Sequence, residues 1–85
     1  MSTISHQQSE RLRQVFCRIL EMPADTHADA LHRCRIQSWD SLTQVSLVTE
    51  IETELNTLFE AGEYAQIVSY DAALRILEAK ALPQP

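Results

Sequence analysis

Apolar residues recur along most of this chain at the spacing of an α-helix. Leu12, Val15, Phe16, Ile19 and Leu20 fall at i, i+3, i+4, i+7 and i+8, which puts them on one stripe of a helix. Ser5 followed three residues later by Gln8 is a capping-box pattern and marks the expected start of that helix. Pro23 is expected to stop it near Glu21, because the residue before a proline is pushed out of helical geometry. Residues 24–38 lack strong periodicity. So long a structureless stretch is unusual in a small domain, so a helical turn around Asp29–Cys34 is expected, with Leu31 and Ile36 pinning the segment to the core.

A second helix should open at Asp40, whose carboxylate can accept from an orphan first-turn amide and suits the positive end of the helix dipole. Leu47, Val48, Ile51, Leu55 and Leu58 form its expected buried stripe, and Leu42 points well away from that stripe. Gly62 is expected to end this helix or to sit in the following loop. A short helix is expected around Glu63–Gln66. Ser69 then caps a last helix with Asp71 in its first turn and Ala73, Leu74, Leu77 and Ala81 on its core face. Lys80 suits the negative end of that helix, and Pro83 ends it. No segment alternates as a strand would. The reading is a single all-α domain over 1–85: a small bundle of three main helices and a short third one, with 1–4 and 83–85 as flexible ends.

Composition narrows the function. The chain has 85 residues, enough for one core and too few for two. Apolar residues are 45% and charged residues 22%, as in an ordinary globular protein, but there is a single glycine. That excludes phosphate loops of the G-x-x-x-x-G-K-[ST] type, dinucleotide loops and G-x-S-x-G nucleophile elbows. The formal net charge is -5, from 7 Lys and Arg against 12 Asp and Glu, which disfavours nucleic acid as a partner. The charge is uneven. Residues 1–39 carry five Arg and four acids, whereas residues 40–85 carry eight acids against Arg75 and Lys80. Such an acidic half suits steering towards basic partners, although taken alone it reads as a solvated helix face.

No secretory signal is visible in the polar start, Met1 to Glu10, and no apolar run approaches the ~18 residues of a membrane span. Cys17 and Cys34 therefore read as reduced thiols in a cytoplasmic protein. His27, His32, Cys17 and Cys34 match no usual zinc spacing and read as a buried thiol and loop residues. Phe16, Phe59, Tyr64 and Tyr70 read as packing residues, and Trp39 is expected either to brace the loop or to shield a group attached beside it.

The candidate chemistry lies in Trp39-Asp40-Ser41-Leu42, at a loop-to-helix junction. Taken alone, Asp40-Ser41 reads as a helix cap, although unpaired amides and a positive dipole end would also suit a phosphate ester there. Hydrolysis at Ser41 would need a positioned base and an oxyanion hole, and no histidine lies near it in sequence.

The wider context resembles the acyl carrier protein family, together with its peptidyl carrier relatives. Asp40-Ser41-Leu42 stands where the family has Asp-Ser-Leu at the head of its second helix. Val45, Leu47-Val48, Ile51-Glu52 and Leu55 are similar to its second-helix pattern. Ile67-Val68-Ser69 followed by Ala72-Ala73-Leu74 is similar to its third-helix exit and fourth-helix start. The resemblance implies that Ser41 carries a 4′-phosphopantetheine arm, placed there from coenzyme A by a phosphopantetheinyl transferase. The arm would hold acyl or aminoacyl groups as thioesters for loading and acyl-transfer enzymes. It also implies a monomeric, non-catalytic carrier in which Asp40, Leu42, Glu50, Glu52 and Glu54 meet partner enzymes. Ser38 stands where the family commonly has glycine, and Thr43, Gln44 and Ser46 are neutral where a fatty-acid carrier is usually acidic. With Arg33 and Arg35 just upstream, these departures point to a dedicated lipid, polyketide, aminoacyl or polysaccharide pathway. The alternative is a small helical interaction module without a prosthetic group.

Overall fold

The structure, a computed structural model, describes residues 5–80. The protein is all-α, with α1 at His6–Ile19, α2 at Ser41–Leu55, the short α3 at Ala61–Gln66 and α4 at Tyr70–Lys80. Among the described residues there is no strand, only one isolated antiparallel bridge between His32 and Ser69.

The helices begin where side chains can satisfy orphan amides. Ser5 Oγ accepts from the Gln8 amide at 3.1 Å while Gln8 Oε1 accepts from the Ser5 amide at 2.9 Å, closing the expected capping box. Asp40 Oδ1 accepts from the Thr43 amide at 2.9 Å, and Ser69 Oγ from the Ala72 amide at 3.0 Å. Leu12, Val15 and Phe16 of α1 join Leu47, Val48, Ile51 and Leu55 of α2, Ile67, and Ala73 and Leu77 of α4 in one buried cluster. Each large apolar side chain so buried contributes about 1.5–3 kcal/mol. Leu74 packs against this cluster while remaining partly exposed.

The helix ends correct two expectations. α1 stops at Ile19, ahead of Pro23, because Glu21 turns left-handed at φ 56°; the Met22 amide then reaches Cys17 O at 2.8 Å. Asn56 does the same for α2 at φ 52°, with the Thr57 amide donating to Glu52 O at 3.0 Å. Gly62 therefore neither ends α2 nor sits in a loop: it is the second residue of α3. Leu58 is not part of the buried stripe, since the reversal at Asn56 carries the chain away and leaves it 78% exposed. Ala81, Pro83 and the expected flexible ends fall outside the described residues.

The segment between α1 and α2 holds two short 3-10 turns, Ala28–Ala30 and Arg33–Arg35, in place of one helical turn. Leu31 and Ile36 are buried as expected. The loop is also tied by its backbone, with the Arg33 amide on Val68 O at 2.8 Å and the Tyr70 amide on Leu31 O at 2.9 Å. The Arg13 guanidinium, reaching from α1, holds the carbonyls of Ala24 and Thr26 at 2.7 and 3.0 Å. This tethering fixes where the chain enters α2.

Candidate functional site

Ser41 is the first residue of α2, exposed, and its side chain makes no hydrogen bond among the described residues. Asp40 before it is also exposed, with its carboxylate engaged by Thr43. The Thr43 amide holds the Asp40 carboxyl below the usual carboxylate range. A carboxylate stabilised as the anion is a poor proton acceptor, so Asp40 is not built to activate Ser41. His27 Nδ1 and His32 Nδ1 are each turned towards a loop amide, those of Asp29 and Cys34. The junction thus offers an accessible hydroxyl at a positive helix end, with no base in hydrogen-bond contact among the described residues.

Around the serine, Leu42 is 76% exposed and Val45 is 50% exposed. At about 100° per residue, Leu42, Ser46, Thr49 and Thr53 run along the ridge opposite the buried stripe of α2, and Val45 lies beside it. The ridge carries no charge. The three acids flank it and differ in what they touch. Glu52 Oε2 accepts from the Phe59 amide at 2.8 Å and so ties down the chain between α2 and α3. Glu50 Oε2 lies 3.7 Å from the Arg18 guanidinium of α1. Glu54 is exposed and makes no contact of this kind among the described residues. Glu50 and Glu54 share one side of α2 and Glu52 lies on the other, so the acids do not form one patch.

Trp39 braces the loop. Only 4% of it is exposed, and its ring stands edge-on to Phe16 with centroids 5.9 Å apart. Its indole N–H donates to Gln44 Oε1 at 2.6 Å. The buried Gln44 amide in turn donates to the carbonyls of Tyr64 at 3.0 Å and Ile67 at 2.9 Å. Gln44, expected only as a neutral position at the head of α2, is instead buried, in phase with Leu47, Val48, Ile51 and Leu55. A polar side chain on a buried stripe signals a hydrogen-bonded core position.

Cys17 is buried and Cys34 exposed, both as free thiols. No group of three or more metal-capable side chains occurs among the described residues. No helix among them is long and apolar enough to cross a membrane. Comparison with protein-family models, with curated proteins and with solved structures finds no match to the chain.

Proposed function

We propose that this protein is an acyl carrier in which the Ser41 hydroxyl takes a 4′-phosphopantetheine arm from coenzyme A. One observation carries the reading: Ser41 opens α2 with an exposed, unpartnered hydroxyl directly behind a capping Asp40. The residues present fit the group. Exposure leaves room for a phosphodiester on Oγ, and the N-terminal end of a 15-residue helix favours its negative charge.

In the loading step Ser41 Oγ attacks the pantetheine-side phosphorus of coenzyme A. An Oγ–P bond forms, the diphosphate P–O bond breaks, and 3′,5′-adenosine bisphosphate leaves. The serine proton goes to a base of the phosphopantetheinyl transferase, because Asp40 is occupied and held ionised. When attached, the group supplies a thiol that holds an acyl or aminoacyl chain as a thioester. The protein's own residues then present it: Asp40 fixes the helix start, and Leu42 and Val45 offer apolar contact beside the serine. Catalysis belongs to the loading and acyl-transfer enzymes. Thr43 and Ser46, neutral and not buried at the head of α2, support a dedicated biosynthetic pathway over general fatty-acid synthesis; Gln44, being buried, does not bear on it.

The test is an intact-mass measurement after incubation with coenzyme A and a promiscuous phosphopantetheinyl transferase. We expect wild type to gain one phosphopantetheine and Ser41→Ala to gain none. An unmodified wild type would overturn the carrier reading and favour the plain interaction module; a gain that survives Ser41→Ala would overturn the site.

A further inference from the structure

The exposed junction at Asp40-Ser41 lies between two buried side chains that bond to each other. Trp39 stands two residues before the serine and Gln44 three residues after it, joined at 2.6 Å. Behind them the contacts spread in two directions, from Trp39 to Phe16 in α1 and from Gln44 to the C-terminal carbonyls of α3. Tyr64 of α3 packs half-buried against the core and Ile67, just past its end, is buried; the Gln44 amide ties the carbonyls of these two residues to α2. Two further links close the same short segment: the Thr43 hydroxyl donates to Ser38 O at 3.1 Å and the Trp39 amide to Ile36 O at 3.1 Å. Each polar atom of the Gln44 amide has a partner, which is what gives a buried network one preferred geometry.

We propose that the Trp39–Gln44 pair is the positioning element of Ser41, holding the serine in the one loop-to-helix geometry that a transferase can engage. This rests on the carrier reading for its consequence, though not for its geometry. Neither residue reaches a reacting atom; both act through the backbone that carries Ser41. With the indole–amide bond cut, residues 40–43 are free to leave the helical start. Only the fraction of molecules in the competent geometry can then be loaded, which raises the apparent KM in proportion and leaves kcat unchanged.

Trp39→Phe keeps a ring against Phe16 and removes the N–H; Gln44→Met keeps the side chain's length and removes all its polar atoms. Val15→Ala, a buried site in α1, serves as a control that lowers stability without touching the pair. All are full-length and studied at a temperature where each is folded. We expect Gln44→Met, which cuts all three bonds of the buried amide, to raise the KM for phosphopantetheinylation by about tenfold, and Trp39→Phe, which cuts only the indole bond, to raise it by about twofold or more. The amides of Leu42, Thr43 and Gln44 should exchange faster with solvent in both, while Val15→Ala changes neither readout. An unchanged KM and unchanged exchange in the pair variants would overturn the proposal, as would a Val15→Ala effect of equal size. If wild type is not loaded at all, the carrier reading fails, and the exchange measurement alone decides the positioning role.

Discussion

The two left-handed positions among the described residues are held by Glu21 and Asn56, while the one glycine of the chain sits in α3 with no need for its freedom. Exchanging these roles should stabilise the fold. An L-residue with a Cβ pays about 1–2 kcal/mol for left-handed geometry, and glycine does not. Glycine at position 21 would lose about 0.5–1 kcal/mol to the entropy of the unfolded chain, leaving a net gain of roughly 0.5–1 kcal/mol. Glu21 is exposed, so its side chain gives up no burial. At Gly62 the reverse applies: a Cβ would meet nothing within 4 Å, and Gly→Ala at a compatible helical site gains about 0.4–1 kcal/mol. The two sites share no partner, so Glu21→Gly with Gly62→Ala should add to about 1–2 kcal/mol, or roughly 4–16 °C in Tm for a domain of this size. Urea unfolding followed by the fluorescence of Trp39 and by far-UV circular dichroism measures it, with an unchanged m-value as the sign that only stability moved. Asn56→Gly supplies an internal comparison, since asparagine already tolerates the left-handed region and should gain less. A destabilising Glu21→Gly, or a larger gain at Asn56 than at Glu21, would refute the reasoning.

Gln44→Leu removes the partner of a buried indole N–H and of the Ile67 carbonyl, and only the Tyr64 carbonyl keeps another donor, the Ile67 amide at 3.3 Å. At about 1–3 kcal/mol per orphaned group, less the gain from burying leucine, the cost should be roughly 3 kcal/mol in urea; a loss under about 1 kcal/mol would contradict it. Glu10 accepts from the Arg13 guanidinium at 2.6 and 3.2 Å, which pulls its carboxyl from 4.5 down to about 2. Because the folded value is the lower one, this support is complete above about pH 4.5 and is lost as pH falls through about 2; a carboxyl NMR titration should show that midpoint, and Arg13→Ala should raise it. Asp40→Asn keeps an acceptor for the Thr43 amide and should leave Tm at pH 7 nearly unchanged, whereas Asp40→Ala should lower it; equal melting of the two would remove Asp40 as the cap.

Much of the fold is legible in the sequence because helix starts and buried stripes are local. Ser5 with Gln8, Asp40 and Ser69 each cap within three residues of themselves, and the α1 stripe needs only its own spacing. Helix ends read less well. Glycine is the usual sign of a left-handed stop, and here Glu21 and Asn56 take that conformation without it, so Gly62 and Leu58 both mislead. The loop resists for another reason. Its two 3-10 turns are capped locally by His27 and His32, but the loop's course is tied by distant partners, Val68 and Tyr70 in the chain and Arg13 from α1, which no local pattern encodes. At the candidate site the exposed motif is readable from residue order. The Trp39–Gln44–α3 network is readable only in part, since phase marks Gln44 as buried but cannot name carbonyls 20 and 23 residues away.

Where the acids stand bears on how such a carrier would meet its partners. Three acids on one helix suggest a charged docking face, but each has a different place. Glu52 caps the Phe59 amide, and recruiting it to a partner would loosen the chain leading into α3. Glu50 already faces Arg18, so a partner's cation would compete with one supplied by α1. Glu54 alone stands clear of such contacts among the described residues, two turns or more from Ser41. The surface beside the serine is Leu42 and Val45, both half or more exposed, on a ridge without charge. Long-range attraction from the acidic half of the chain could bring a basic enzyme near, since steering depends on the summed field rather than on any one pair. In a carrier of this kind, close docking at Ser41 would depend on apolar contact and on the geometry of the helix start. Charge would then set the rate of encounter and shape the choice of partner, and the proposed placement of Ser41 by Trp39 and Gln44 would be a condition of recognition.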